Sequence, residues 1–372
     1  MNAAAVVTTI CARLAEQVSD ASHVADLAIR ARTLARDLMP LSTDAEIDGV
    51  VSEALAHTSG LGPLERFLAD PSVNEIMVNN GGDIWIERNG QITRAGRLAD
   101  DMTSRLIERI IGPLGRRLDR LSPIVDARLA DGSRVCAVIP PIAVDGPCLT
   151  LRRFGVTRRT LAEFASGPIA LLLAEIIQAR CNVVVSGATS SGKTSLLNVF
   201  GSLIGDDERI VTLEDTAELQ LDAAHVLRLE TRPATIDGTT AVSMTDLVRT
   251  ALRLRPDRIV VGEVRGGEVI DMLAAMNTGH TGSLTTCHAN NAFDALRRLE
   301  ALAAQHSPSW PLAAVRDAIR SSIDVVVHVD RRSNGERRVG EILELSPAGA
   351  HESHRTLVTG GGDCAELLRR RR

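Results

Sequence analysis

The chain has 372 residues, and at about 150 residues per domain this length predicts two or three domains with a substantial core. Hydrophobic residues make up 44% and charged residues 24%, which excludes global disorder and fibrous repeats. A net charge of -5, with 2% aromatic residues and no tyrosine, argues against a protein that coats nucleic acid or stacks single-stranded bases.

The cysteines and the apolar segments indicate where the protein works. The six cysteines are scattered without a CxxC pair, so we expect a reducing compartment with neither a disulfide framework nor a structural zinc site. The best candidate for a membrane span, Ile169 to Ile177, is shorter than the roughly 18 residues that a spanning helix needs and contains Glu175. The apolar N-terminus has no basic leader before it, so no secretory signal is expected. These features predict a water-soluble, cytoplasmic protein.

Four segments are predicted along the chain. Residues 1–60 have the apolar spacing of helices. Residues 61–155 mix short strands with an amphipathic helix from Met102 to Leu118, which predicts a small α+β domain. Residues 156–346 alternate strands and helices, and this pattern is typical of a parallel sheet covered by helices. Residues 347–372 are expected to form a flexible, arginine-ended tail.

A phosphate-binding loop follows a buried strand in the middle of the chain. Val183 to Val185 form a short apolar run that leads into the pattern GxxxxGK[ST], after which a helix is predicted. The glycines let backbone N–H groups curl around phosphate oxygens, and the helix start adds the positive end of its dipole. The predicted nucleotide-binding residues are Gly187, Ala188, Thr189, Ser190, Ser191, Gly192, Lys193, Thr194 and Ser195.

Lys193 is the single lysine of the chain, since every other one of the 42 basic residues is arginine. A lysine at this position indicates a site where a compact ammonium works and a planar guanidinium does not. We expect Lys193 to reach the β- and γ-phosphates and the Thr194 hydroxyl to help hold Mg²⁺. These residues therefore predict binding of Mg²⁺ and of a nucleotide that carries β- and γ-phosphates.

Two acidic residues end apolar strands downstream of the loop. Glu214 follows the run that begins at Arg209, and Glu263 follows the run that begins at Arg258. Ligands of a parallel sheet bind beyond the carboxyl ends of its strands, so both acids are candidates to face the nucleotide. Hydrolysis needs carboxylates near the metal and the attacking water. The alternative interpretation is that both are solvated acids at strand ends.

Two histidines, His280 and His288, flank a Gly- and Ser-rich strand and are candidates to face the phosphate end of the sheet. A metal site made by them is disfavoured because nothing supplies a third ligand at zinc spacing, and Mg²⁺ prefers oxygen. A structural hydrogen-bonding role for either histidine is the open alternative.

Four motifs in one order resemble a known family. Thr212 to Leu219 is similar to its Asp box, Glu263 to its atypical Walker B acid, and Gly279 to His288 to its His box. With the phosphate loop and the string from Leu254 to Asn290, the chain resembles the secretion-system ATPases of the type II/type IV superfamily over about residues 61–345. It is most similar to the CpaF-like (TadA-like) branch, which powers tight-adherence (Flp) pili.

The resemblance implies a RecA-like P-loop ATPase domain after the α+β domain, with six copies of the chain in a ring and ATP bound between the two domains. It implies that arginines of the N-terminal domain or of a neighbouring subunit approach the phosphates, and Arg134, Arg152 and Arg153 match that region. The zinc-binding tetracysteine of some family members is missing from this sequence, which favours the pilus branches. The implied partners are platform proteins of the inner membrane, which would hold the ring peripherally at its inner face, with no direct nucleic-acid contact.

The predicted function is ATP hydrolysis that drives pilus assembly or protein secretion. In this hypothesis Glu214 orients or deprotonates water, Glu263 holds the metal through water, and His280 and His288 sense or position the γ-phosphate. An arginine on a moving domain would couple domain closure to hydrolysis. The alternatives are a conjugative or nucleic-acid-translocating ATPase and a non-hydrolysing nucleotide sensor.

Overall fold

The fold divides into two compact units, Met1–Gly155 and Val156–Arg372. Each unit buries apolar clusters of its own. The computed structural model describes residues 3–17, 24–58, 60–88, 90–99, 101–114, 116–129, 131–153, 159–232, 234, 239–332, 334–346, 353–359 and 365–367.

Helices open the first unit. They are α1 (Ala3–Gln17), α2 (Val24–Leu38) and α3 (Asp44–Thr58). They share an apolar core in which Ile10, Leu14 and Ile47 are buried. Ahead of α3, the Thr43 N–H donates to Glu46 Oε2 at 2.8 Å, and the Glu46 N–H points back to Thr43 Oγ1 at 3.4 Å. This reciprocal cap fixes where α3 begins.

An antiparallel sheet completes the first unit. Its elements are α4 (Glu65–Leu68), β1 (Val73–Asn79), β2 (Asp83–Arg88), β3 (Gln91–Arg97), α5 (Met102–Ile111), β4 (Ile124–Arg128), β5 (Arg134–Val138) and β6 (Cys148–Arg152). The strand order is β3-β2-β1-β6-β5-β4. The helix predicted to reach Leu118 ends at Ile111, because Pro113 cannot continue it and Gly112–Leu114 form a 3-10 turn instead.

The second unit is built on a larger, mostly parallel sheet. Its elements are α6 (Gly167–Gln178), β7 (Val183–Gly187), α7 (Lys193–Gly201), β8 (Ile210–Glu214), β9 (Val226–Glu230), α8 (Met244–Ala251), β10 (Arg258–Val261), α9 (Glu268–Asn277), β11 (Leu284–His288), α10 (Ala292–His306), α11 (Leu312–Ser322), β12 (Val325–Arg331), β13 (Arg337–Leu345) and β14 (His354–Val358). The strand order is β14-β13-β12-β7-β11-β10-β8-β9. The strands from β12 to β9 in this order are parallel, whereas β13 and β14 are antiparallel additions at one edge.

The central strands of the second unit are buried on both faces. Val184 packs into the core under α8 to α11, whereas Val183 and Val185 pack into the core under α6 and α7. Burial of both faces is typical of a parallel sheet covered by helices. The predicted α/β fold class, with an α+β unit ahead of it, is confirmed.

The end of the chain differs from the flexible tail expected over residues 347–372. Residues 354–358 form β14, which pairs antiparallel with β13. Leu357 and Val358 are buried in the core under α6 and α7, and the Ala365 N–H donates to the Leu357 carbonyl at 2.8 Å. Their burial in this core explains why a strand forms so close to the C-terminus. The remaining parts of the tail, 347–352, 360–364 and 368–372, lie outside the described residues.

The apolar run from Ile169 to Ile177 lies in α6, a helix of 12 residues. In the part of the chain that the structure describes, no helix is both long enough and apolar enough to cross a membrane. No disulfide joins the cysteines that are described there, which are Cys11, Cys136, Cys148, Cys181 and Cys287.

Candidate active site

The phosphate loop joins the end of β7 to the start of α7. Residues 188–190 are exposed at its tip. Two of its residues have left-handed backbone conformations, Ser190 with φ 59° and Gly192 with φ 109°. Such turns form concave arrays of N–H groups that bind anions, and the N-terminus of α7 adds the positive end of a helix dipole. The loop therefore has the backbone of an anion site.

Close packing explains the first glycine of the loop. A Cβ added to Gly187 would lie 2.4 Å from Ser191 Oγ and 2.6 Å from the Val329 carbonyl oxygen. A side chain at this position would push the loop off the strand. Ser191 is buried, and its Oγ has no hydrogen-bond partner among the described residues.

Lys193 lies at the first position of α7 and is only 7% exposed. Its Nζ donates to the carbonyl oxygens of Gly187 at 3.1 Å and Ala188 at 2.9 Å, and lies 3.2 Å from His288 Nδ1. An ammonium has three N–H donors, so three acceptors around one nitrogen satisfy it. Burial lowers the pKa of Lys193, and the nearby Glu263 carboxylate opposes that shift. This geometry gives a physical reason for a lysine at this position.

His288 connects the lysine to Glu263. His288 Nε2 lies 2.9 Å from Glu263 Oε1, and the other carboxylate oxygen, Oε2, accepts from Arg265 Nη2 at 2.5 Å. Because His288 Nδ1 faces an ammonium, it is the acceptor, and Nε2 carries the proton that is donated to Glu263. Burial and the Lys193 charge lower the pKa of His288, which favours this neutral imidazole. We call this series of side-chain contacts, from Lys193 through His288 and Glu263 to Arg265, the loop relay.

The sheet order brings the loop relay together. Strand β11 lies between β7 and β10, and His288 pairs with Gly187 at the carboxyl ends of β11 and β7. Glu263 comes two residues after the end of β10. Three segments that are far apart in sequence therefore meet beside the phosphate loop. Arg265 was missed by the sequence-based prediction, although its position two residues after Glu263 was a usable signal.

Glu214 ends β8, next to β10, and is 3% exposed. Its Oε1 accepts from the N–H groups of Glu218 at 2.8 Å and Leu219 at 2.7 Å, whereas its Oε2 is buried without a hydrogen-bond partner among the described residues. Burial raises the pKa of Glu214 to about 7. A Cβ at Gly262 would lie 2.9 Å from Glu214 Cγ, so Glu214 packs against the residue that precedes Glu263. The solvated strand-end acid considered from sequence is thus a buried carboxyl group.

His280 does not meet His288 within this subunit. It precedes β11, whereas His288 ends that strand, and parallel strands rise about 3.3 Å per residue. His280 Nδ1 lies 3.2 Å from the Ala275 carbonyl oxygen at the end of α9. His280 therefore lies near the amino end of β11, whereas the phosphate loop follows the carboxyl end of the parallel strand β7. The expectation that both histidines face the γ-phosphate is corrected for a single subunit, in which only His288 lies beside the loop.

The three arginines expected to approach ATP lie in the first unit. Arg134 begins β5 and pairs in register with Arg152, which ends β6. Arg153 follows, and its Nη1 donates to the Asp70 carbonyl oxygen at 2.6 Å. The three are thus grouped at one end of the β5–β6 pair, and their role toward ATP stays a prediction.

Thr194 and Ser195 lie in the first turn of α7 and are half-buried.

A loop of this pattern after a buried parallel strand, with strand-end carboxylates beside it, defines the class of P-loop ATPases with a RecA-like sheet. The family model described as Type II/IV secretion system protein matches residues 57–371, and the chain belongs to this family.

Individual relatives agree with this assignment. The chain is 39% identical over 318 residues to a Mycobacterium tuberculosis H37Rv protein provisionally named as a conjugal transfer protein. This alignment covers 82% of this chain and 90% of the relative. The chain is 37% identical over 288 residues to the conjugal transfer protein TrbB of Rhizobium radiobacter, in an alignment that covers 75% of this chain and 85% of TrbB. Among solved structures, the Legionella pneumophila ATPase DotB matches with a TM-score of 0.55 and 25% identity, covering 76% of this chain and 79% of that chain. The predicted superfamily is confirmed, and the CpaF-like branch stays a prediction.

Proposed function

We propose that this protein is a Mg²⁺-dependent ATPase that acts as the motor of a type II/IV secretion machine. The observation that carries this proposal is the buried Lys193 ammonium, which meets three neutral acceptors at the base of the phosphate loop. Anionic phosphate oxygens are stronger partners for an ammonium than carbonyl oxygens are. Lys193→Ala is expected to abolish both Mg-nucleotide binding and phosphate release, and wild-type turnover in this variant would overturn the proposal.

The residues beside the loop fit Mg²⁺, which takes oxygen ligands and keeps several waters. Thr194 offers a hydroxyl in the first turn of α7, and the Glu263 carboxylate is oriented by His288 and Arg265. We assign the direct contact to Thr194 and a contact through water to Glu263. When bound, the ion would supply positive charge to the β- and γ-phosphate oxygens.

We assign activation of the attacking water to Glu214. Both oxygens of Glu263 are engaged by His288 and Arg265, whereas Oε2 of Glu214 has no hydrogen-bond partner among the described residues. A general base works best when its pKa is near the working pH, and the pKa of Glu214 is about 7. Turnover and nucleotide affinity of Glu214→Gln, measured beside Glu263→Gln, decide between the two acids. Retained turnover in Glu214→Gln would remove this role.

The proposed motor is a ring of six copies. Arg134, Arg152 and Arg153 would supply guanidinium groups to the phosphates from the first unit of the same or a neighbouring subunit, and their grouping at one end of the β5–β6 pair supports a shared role. The ring would bind platform proteins at the inner face of the membrane and drive assembly of Flp-type pili or secretion of protein. Sedimentation with Mg-ATP tests the ring, and an unchanging monomer would contradict it.

A second candidate function is a conjugative motor, which the names of two relatives favour. A motor that grips DNA should show DNA-stimulated ATPase activity that falls steeply between about 50 and 200 mM salt. We expect no stimulation, because the chain has a net charge of -5 and few aromatic residues. Strong, salt-sensitive stimulation would favour the conjugative role.

A further inference from the structure

Arg337, the first residue of β13, packs against the phosphate loop. A Cβ added to Gly192 would lie 2.5 Å from Arg337 Cδ and 2.9 Å from Arg337 Nε. Gly192 directly precedes Lys193, so the Arg337 side chain lies on the backbone at the start of α7. The contact joins residues that are 145 positions apart and were not connected by any sequence pattern.

The Arg337 guanidinium has no hydrogen-bond or ion-pair partner among the described residues, and its Nε is buried. Its charged neighbours are mainly positive, because Arg159 and Arg331 act on it and the opposing Glu163 carboxylate is already paired with Arg159 at 2.7 Å. Burial and these two arginines lower the pKa of Arg337. A partly buried cation without a counter-ion is costly, so this position favours an anion beside the loop.

The sheet order indicates which part of a nucleotide this anion is. Strands β12 and β13 lie on one side of β7, whereas β11 and β10, which carry His288 and Glu263, lie on the other. The Lys193 ammonium faces His288, so the loop relay marks the position of the terminal phosphate. If the terminal phosphate of a triphosphate lies at the loop relay, we expect its α-phosphate on the β12–β13 side, beside Arg337.

We propose that Arg337 binds the α-phosphate of the nucleotide and sets affinity rather than the rate of hydrolysis. This inference rests on the proposed ATPase function and adds a residue of the same unit to the nucleotide site. A guanidinium presents planar, paired N–H donors to phosphate oxygens. Its loss should weaken every ligand that carries an α-phosphate, including ADP, and leave the loop relay intact.

The test compares Arg337→Met with Arg332→Ala. Methionine keeps an apolar stem on Gly192 and removes the charge, whereas Arg332 lies in the same hairpin, exposed and 3.5 Å from Glu336. For Arg337→Met we expect about a tenfold rise in the Kd of Mg-ADP and in the KM for ATP, with kcat within about threefold of wild type. Arg332→Ala should match wild type, and Arg337→Lys should recover part of the affinity.

A Kd for Mg-ADP within twofold of wild type in Arg337→Met would overturn the inference, as would a loss confined to kcat. Circular dichroism and the thermal midpoint of each variant establish that it is folded, and Arg337→Gln, which also removes the charge, carries the test if methionine is not tolerated. The inference and the proposed function fail differently. If the wild-type protein binds no Mg-nucleotide, the ATPase proposal fails. If wild type binds, Lys193→Ala does not and Arg337→Met binds normally, the Arg337 inference alone fails.

Discussion

His288 Nδ1 lies 3.2 Å from Lys193 Nζ, while Nε2 of the same ring lies 2.9 Å from Glu263 Oε1. One imidazole therefore accepts from the cation of the phosphate loop and donates to the carboxylate assigned to the metal. A change in the position of either charge must move or reorient this ring. His288 is thus placed to couple occupation of the loop to the orientation of Glu263.

Replacing Lys193 by arginine tests the match between three donors and three acceptors. A planar guanidinium cannot direct three N–H groups from one nitrogen at Gly187 O, Ala188 O and His288 Nδ1, so we expect ATP turnover to fall by about 100-fold or more. Phosphate release is the measurement. Arg316→Lys is the matched control, since Arg316 is half-exposed and pairs with Glu300 on the surface. Near-normal turnover in Lys193→Arg would mean that only the charge matters.

The two histidines are expected to differ in function. His288→Ala removes the link between Lys193 and Glu263, and we expect kcat to fall by about 10- to 100-fold with the Kd for ADP within about threefold. His280 lies near the amino end of β11, away from the phosphate loop, so His280→Ala should change kcat by less than about threefold. Steady-state kinetics of the two variants side by side make the comparison. An equal loss in both would place His280 at a site formed between subunits.

Glu214 should make stability depend on pH. Its pKa of about 7 lies above the ordinary value of 4.5, so the folded protein keeps a proton that the unfolded chain releases. Stability attributable to this group therefore falls as pH rises from about 4.5 to 7 and levels off above that, at a total cost of roughly 3 kcal/mol. Glu214→Gln keeps an acceptor for the amides of Glu218 and Leu219 and has no proton to release.

Denaturant unfolding of wild type and Glu214→Gln between pH 5 and pH 8 measures this effect as a difference. As pH rises, the free energy of unfolding of Glu214→Gln should increase relative to that of the wild type. Parallel profiles for the two proteins would show that the carboxyl group ionises as freely in the folded state as in the unfolded chain.

The strand, loop and helix around residues 187–195 could be predicted from the sequence because the spacing, the glycines and the preceding strand are all local. The sequence also supplied Glu263 and His288 as candidates, but the loop relay depends on β11 lying between β7 and β10, which no local pattern encodes. Arg337 had no local signal at all, because its contact with Gly192 crosses β12. Long-range strand order is therefore what sequence reasoning lacked.

Glu208 and Arg258 offer a stability test away from the nucleotide site. Arg258 begins β10 and is 1% exposed, and its Nε and Nη2 donate to the two Glu208 oxygens at 2.7 and 2.8 Å. Glu208→Ala leaves a buried guanidinium without its carboxylate, so we expect a loss of about 3–5 kcal/mol in unfolding free energy. Glu300→Ala, which breaks the surface pair with Arg316, should cost less than about 1 kcal/mol. Because Arg258 lies at the amino end of its strand, the folded Glu208→Ala protein should bind Mg-ADP like wild type. If the unfolding free energy of Glu208→Ala falls by less than about 1 kcal/mol, the carbonyl groups of Ile177 and Gly282 suffice to hold Arg258.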